Sequence, residues 1–211
     1  MLKAIIFDFD GVIADTEVDR VKFLQKELAK YDITLENDML PNIFGKKTTS
    51  ALREIIPNIS ENIIKEVNSR RQLYIQEKIL ELKPLLGIKK ILEQLNSKYI
   101  IGLTTGSKSN VVKKFLQYHN IKRYFSVITT GEHFKSSKPD PECYLITLKE
   151  LNIKPSETII VEDSEAGIIA GKKAGCKVFG LKNKYNTAQL KKADKAFDNY
   201  KEMLIYFKEK F

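Results

Sequence analysis

Sulfur and imidazole are scarce in this chain, which has two cysteines and two histidines in 211 residues. Cys143 and Cys176 stand alone in sequence, so no CxxC metal or redox motif exists. Both read as small buried hydrophobes of a reduced compartment, and a cytoplasmic location is expected. His119 and His133 match no motif and are read as incidental. Long apolar runs are missing too, and the longest falls far short of the roughly 20 residues of a membrane-spanning helix. Asp8 and Asp10 interrupt the first apolar stretch with no small-residue cleavage site after them, so no signal peptide is expected. Internal repeats, low-complexity tails and arginine-rich or aromatic-interleaved stretches are also lacking. The net charge of +9 favours anionic partners. The lysines are scattered, however, so a solvated surface is the better reading and nucleic acid is not expected as a partner. A monomer is expected.

What is present is an ordinary globular composition, 43% apolar, in a chain long enough for one core plus a small insertion. Residues 4–7 form an unbroken apolar run and read as a strand. From residue 16 to about 31 the pattern turns helical, with Val21, Leu24, Leu28 and Tyr31 at spacings of three and four. Helical segments continue over 50–56 and 60–82, broken at Pro57. Residues 83–87 read as a connector. Beyond it, strands expected over 99–104, 125–129, 158–162 and 177–181 alternate with helices over 88–95, 111–119, 141–151 and 164–174. A short strand near 196–197 and a helix over 200–208 finish the chain. Such alternation predicts an α/β fold: a Rossmann-like, doubly wound parallel sheet with an inserted helical cap domain. The expected core is discontinuous, 1–15 plus 83–211, with 16–82 as the cap.

In such a sheet, ligands bind at the carboxyl ends of the strands. The first strand ends in Asp8-Phe9-Asp10-Gly11, the second in Thr104-Thr105-Gly106-Ser107, and the fourth in Glu162-Asp163-Ser164. Lys138-Pro139 follows the third. A lone DxD usually marks a strand-end turn, but here matching groups recur at the other strand ends. Two carboxylates about 4 Å apart repel by about 4 kcal/mol at an effective dielectric near 20. Four of them need a cation, and hard oxygen donors point to Mg²⁺. Residues i and i+2 of an extended segment face the same side, so Asp8 and Asp10 look into the cleft while Phe9 faces away. Gly11 allows the sharp turn that follows.

These elements resemble the haloacid dehalogenase (HAD) superfamily, in its phosphatase and β-phosphoglucomutase-like branch with a helical cap. The resemblance covers nearly the whole chain. It rests on Asp8-Phe9-Asp10-Gly11-Val12-Ile13, on Thr105, on Lys138-Pro139, and on Glu162-Asp163-Ser164 followed by Ala166-Gly167, in that order. It implies that Asp8 is the nucleophile and carries the phosphoryl group as an aspartyl phosphate. Asp10 is implied as acid and then base, with its backbone carbonyl on Mg²⁺. Glu162 and Asp163 complete the metal site, with one of the pair allowed to act through water. Thr105, the Gly106 amide and Lys138 hold the phosphate oxygens. Asp15 or Thr16 is expected to cap the first cap helix, and Ser164 the helix that follows it.

A halide leaving group needs neither proton nor metal, so the second aspartate and the Glu162-Asp163 pair argue for phosphate over dehalogenation. The expected activity is Mg²⁺-dependent hydrolysis of a small phosphorylated metabolite. A β-phosphoglucomutase-like phosphosugar mutase is the alternative, and a non-catalytic anion or nucleic-acid binder the remote one. Mutase chemistry needs a second phosphate site in the cap. The resemblance places a histidine where this chain has Arg20, and an arginine in the loop that here reads Phe44-Gly45-Lys46-Lys47-Thr48. Arg20, Gly45, Lys46, Lys47 and Arg70 are therefore the candidate specificity residues of the cap.

Overall fold

The computed structural model describes residues 1–36, 39–40, 43, 48–183 and 186–211. The described residues form six strands, β1 (Ala4–Phe7), β2 (Ile100–Thr104), β3 (Val127–Thr129), β4 (Thr158–Glu162), β5 (Lys177–Leu181) and β6 (Lys195–Phe197). The helices are α1 (Glu17–Leu28), α2 (Thr48–Ile55), α3 (Glu61–Lys78), α4 (Ile88–Leu95), α5 (Ser109–Tyr118), α6 (Glu142–Leu151), α7 (Glu165–Lys173) and α8 (Tyr200–Lys210). The strands make one parallel sheet in the order β3-β2-β1-β4-β5-β6. The chain lays β2 and β3 on one side of β1, then returns to place β4 on the other. That reversal opens a crevice at the carboxyl ends of β1 and β4.

Side-chain alternation explains why the sheet is covered on both faces. Ile5, Phe7, Ile101, Leu103, Ile159 and Val161 join the cluster under α4, α5 and α8. Ile6, Ile160 and Val178 point the other way, onto Tyr144, Leu148 and Ile168 of α6 and α7. Helix α4 buries Ile88, Ile91, Leu92 and Leu95, the spacing of one helical face. Helices α1, α2 and α3 close around a separate cluster that includes Leu24, Leu28, Leu52, Ile64 and Val67. Where the chain leaves and re-enters the sheet layer, the two segments run side by side. Asp15 N donates to Lys83 O at 3.0 Å, and Leu85 N to Ile13 O at 2.8 Å.

Element ends differ from the sequence expectation by a few residues. Strand β3 begins at Val127, because Lys122–Tyr124 forms a 3₁₀ turn that carries the chain to Phe125. Helix α3 ends at Lys78, before the expected residue 82. Ser164 caps α7 as expected, accepting from Gly167 N at 3.1 Å. Thr16 is the N-cap of α1, yet its side chain makes no capping bond and its hydroxyl is buried without a partner. No helix among the described residues is long and apolar enough to cross a membrane.

Both cysteines are buried in the sheet–helix core. Burial pushes the Cys143 thiol up to about 11 and the Cys176 thiol up to about 12. At pH 8 the thiolate fraction is therefore negligible in the native state. A thiol-reactive chromogenic disulfide should titrate neither cysteine in the folded protein, and both after denaturation. Rapid native modification would contradict this packing.

Candidate active site

Strand β1 continues its ladder one residue past Phe7, since Asp8 N donates to Val161 O at 3.0 Å. Alternation then sends Phe9 into the core, where its ring meets Phe115 edge-on at 5.2 Å. Asp8 and Asp10 are left facing the crevice. Gly11 makes the following turn at φ +73°, and a Cβ there would fall 2.0 Å from Asp163 Oδ2. Only glycine lets β1's turn approach the carboxylate that follows β4.

The floor of the site is a charge cluster centred on Lys138. Its ammonium donates to Asp8 Oδ1 at 2.5 Å and to Glu162 Oε1 at 2.6 Å. Glu162 is fully buried and fully engaged. Its Oε1 also accepts from Tyr144 OH at 2.8 Å, and its Oε2 accepts from Asp163 N, Ser164 N and Ser164 Oγ at 2.9–3.0 Å. A Cβ at Gly167 would lie 1.7 Å from Glu162 Oε1, so glycine in the first turn of α7 makes room for this carboxylate. Burial works against ionisation of Glu162, but the Lys138 charge and the donors around it outweigh burial and hold its pKa below the usual value. Burial likewise works against the Lys138 cation, and Asp8 and Glu162 overcome it, so the ammonium stays charged far above the usual range.

Asp8 is different. Burial raises its pKa most, Lys138 lowers it, and the Glu162 and Asp10 charges raise it again, leaving it well above normal. Negative charge is in surplus here, because one ammonium is shared among several carboxylates. Asp8, Glu162 and Asp163 each offer an oxygen within 4.8 Å of the others. That all-oxygen set, with surplus charge and no soft donor, fits a hard divalent cation.

Asp163 is oriented by two asparagines that follow β5. Asn183 Nδ2 donates to Asp163 Oδ2 at 3.2 Å, and the buried Asn186 donates to the Asp163 carbonyl at 2.8 Å. Asn186 also accepts from Asn183 N at 2.8 Å, which locks the pair. On the opposite side, the Asp10 carboxylate accepts from Ser107 Oγ at 2.7 Å and Thr105 Oγ1 at 3.3 Å. Thr105 Oγ1 in turn accepts from Ser107 N at 3.0 Å.

A cavity of about 280 Å³ lies above this floor, between the strand ends and the cap helices. Asp8, Asp10, Gly106, Ser107, Lys138 and Asp163 line it from below, and Arg20, Thr48 and Arg71 line it from the cap. Thr105 and Glu162 sit just behind the lining, both fully buried. The structure does not bring Arg70 to the cavity. Its guanidinium pairs with Glu27 at 3.0 Å and Glu66 at 3.3 Å, along the outer side of the cap. Arg71 faces the cavity in its place, about 100° further round the same helix. Gly45, Lys46 and Lys47 lie outside the described residues. His119 Nε2 meets Leu82 O at 3.0 Å and His133 Nδ1 accepts from Thr130 N at 2.8 Å, and neither ring lines the cavity.

No motif in the sequence marks Tyr144, Asn183, Asn186, Thr48 or Arg71 as site residues, or assigns a role to Ser107. Tyr144 is one residue of an apolar helix pattern, with nothing in sequence to mark its hydroxyl. The asparagines had a weak signal, as polar residues just beyond a strand end.

The family model described as haloacid dehalogenase-like hydrolase matches residues 5–181. The chain is 30% identical over 192 residues to a phosphorylated carbohydrates phosphatase of Thermotoga maritima, covering 88% of each chain. It is 30% identical to a phosphoglycolate phosphatase of Aquifex aeolicus, covering 83% of each. Among solved structures, a β-phosphoglucomutase from Clostridium difficile superposes with a TM-score of 0.76 at 29% identity, over 99% of this chain and 98% of that one.

Anchorage of Glu162 can be measured as stability. Tyr144→Phe removes one donor from a buried, charged acceptor and should cost about 1–3 kcal/mol in urea unfolding. Gly167→Ala drives a methyl into the carboxylate and should cost more, about 3 kcal/mol or above. If Gly167→Ala leaves the unfolding midpoint where it was, Glu162 does not occupy this position.

Proposed function

The chain belongs to the haloacid dehalogenase-like hydrolase family, in its capped phosphatase and β-phosphoglucomutase-like branch, and from that premise we propose that it is a Mg²⁺-dependent phosphatase releasing phosphate from a small phosphorylated sugar or related metabolite by way of an aspartyl phosphate. The observation that carries this reading is the Asp8 carboxylate. One of its oxygens is clasped by Lys138 at 2.5 Å and the other is left toward the cavity, at the strand-order reversal.

Asp8 Oδ2 is the nucleophile. As its bond to phosphorus forms, the ester P–O bond breaks, and Asp10 gives the departing oxygen a proton. Ser107 and Thr105 hold Asp10 by Oδ2, leaving Oδ1 to give and later to take that proton. In the second half-reaction Asp10 removes a proton from water, the water oxygen bonds to phosphorus, and the bond to Asp8 breaks, restoring the carboxylate. Lys138 and the Gly106 amide hold phosphoryl oxygens, and Thr105 fixes the loop that presents that amide. Mg²⁺ would be held by the Asp8 and Asp163 carboxylates and the Asp10 main-chain carbonyl. Glu162, with both oxygens engaged, acts from behind through its charge and its hold on Lys138. When bound, the cation supplies positive charge for the phosphoryl oxygens, the main electrostatic need of a loose transition state. The cap helices cover the site and exclude bulk water.

Phosphate release from p-nitrophenyl phosphate should require Mg²⁺ and stop with EDTA. Asp8→Asn should lower turnover by at least about 10³-fold. Acid quenching during turnover of a ³²P-labelled ester should leave label on the peptide carrying Asp8. Full activity in Asp8→Asn would overturn the reading. So would conversion of β-glucose 1-phosphate to the 6-phosphate, primed by a bisphosphate, outrunning phosphate release, because the mutase would then be the better description.

Asp10→Ala should slow both half-reactions while the Mg²⁺ requirement persists, since the backbone carbonyl remains. Unchanged steady-state turnover would remove Asp10 from the acid–base role.

A further inference from the structure

The turn that follows β1 is closed upon itself. Phe9 O accepts from Ile13 N at 2.8 Å and from Ala14 N at 2.9 Å, and Gly11 N donates to Ala14 O at 2.9 Å. Residues 9–14 therefore form one closed unit, from which Asp10 projects into the cavity. Ile13 O and Asp15 N pair with Leu85 N and Lys83 O of the segment returning from the cap. Those two bonds tie the turn to the cap crossing and not to the helix layer beside the sheet.

Tyr200 ties it to that layer. It opens α8 and donates from its hydroxyl to Val12 O at 2.5 Å, across 188 positions of sequence. The residue is 2% exposed, and its ring belongs to the cluster that holds Val12 and Ile88. It also abuts the returning segment, because Gly87 sits at φ +92° and a Cβ there would lie 3.2 Å from Tyr200 Cβ. One side chain of the core thus touches both segments that run between the sheet and the cap. The start of α8 is fixed in turn by Asn199, whose Oδ1 accepts from Glu202 N at 3.0 Å, while Glu202 Oε2 accepts from Asp198 N at 2.8 Å. Burial, and then the Asp163 and Asp8 charges, push the phenol pKa well above its usual value, so the hydroxyl keeps its proton and stays a donor.

We propose that Tyr200 is a positioning residue for proton transfer: by holding Val12 O from behind the cavity lining, it fixes the turn that presents Asp10. This rests on the phosphatase reading above and goes beyond it. Attack by Asp8 depends on β1 and Lys138, which other bonds hold in place. Proton donation depends on where Asp10 stands, and a displacement of about 1 Å can cost about 100-fold. Loss of the Tyr200 hydroxyl should therefore harm the part of the reaction that needs a proton more than the part that does not.

The test uses the full chain with Mg²⁺ and two aryl phosphates of similar shape. Phenoxide leaving from phenyl phosphate needs a proton, whereas the anion leaving from 2,4-dinitrophenyl phosphate is stable without one. Tyr200→Phe should lower kcat/KM for phenyl phosphate by about 10- to 100-fold and for the dinitrophenyl ester by less than about threefold. Asp10→Ala should show the same split at its full size. Replacing Tyr200 by 4-aminophenylalanine, which keeps a donor on the same ring, should recover most of the loss. If Tyr200→Phe does not fold, Asn199→Ala at the exposed start of α8 should still give a split of about threefold. Equal losses on the two esters in whichever of these variants folds overturn the positioning role and leave the phosphatase standing. A split in Tyr200→Phe that the 4-aminophenylalanine does not recover overturns the hydrogen bond as its cause, and a split in Tyr200→Phe with none in Asp10→Ala overturns the link to Asp10. No release of phosphate from either ester by the wild-type chain overturns the phosphatase reading, and this role with it.

Discussion

One ammonium held between two buried carboxylates organises this protein. Lys138 reaches from the segment after β3 to Asp8 beyond β1 and Glu162 at the end of β4. Taking such charges out of water costs several kcal/mol per ion, and only good geometry with further hydrogen bonds repays it. The surrounding features follow from that demand. Gly167 leaves space for the Glu162 carboxylate, the start of α7 points two amides and a hydroxyl at it, and Tyr144 covers its remaining lone pair. With Glu162 so fixed, Lys138 is fixed, and with Lys138 fixed one oxygen of Asp8 is spoken for. The free oxygen then has a defined direction, which is what a nucleophile aimed at phosphorus needs.

The carboxylates divide by environment rather than by type. Glu162 is satisfied by protein donors that hold its pKa low, whereas burial first, and then the like charges of Glu162 and Asp10, raise the pKa of Asp8 against the pull of Lys138. Asp163 is oriented by hydrogen bonds from Asn183 and Asn186. Asp10 hangs from two hydroxyls on the β2 side. Four acids within one crevice thus have four different sets of partners, and the different roles proposed for them follow from those environments and not from side-chain type.

Much of this was legible in the sequence because strand ends are legible. Apolar runs that stop at Asp8, Thr105 and Glu162 locate the crevice once a parallel sheet is inferred, and a doubly wound sheet admits few places for a ligand. The side-chain partners were less legible. Tyr144 reads as one more apolar position of α6, since its hydroxyl acquires a role only where α6 crosses β4. Arg70 and Arg71 are adjacent, and a turn of about 100° sends one to Glu27 and the other to the cavity, a choice set by how α3 rolls against α1. Thr16 has the right residue type for a helix cap, yet burial left its hydroxyl unpaired and the helix start without that bond. In each case the missing information was the direction of a side chain, which packing decides.

The same geometry explains how chemistry and selection can share one small cavity. Asp10 and Ala14 bridge each other within the turn after β1, and Ala14 bridges Pro84 on the segment returning from α3. The residue assigned to proton transfer therefore lies on the short stretch that carries the cap helices. The placement of Arg20 and Arg71 above the floor depends on that paired crossing, on Tyr74 between α1 and α3, and on the apolar cluster inside the cap. None of these contacts touches Lys138 or Glu162. The Lys138 charge cluster and the packing that positions Arg20 and Arg71 are built from separate residues, so a change in one need not disturb the other. Substitutions that repack α1 against α3 would reshape the cap side of the cavity while leaving the Asp8–Lys138–Glu162 contacts as they are.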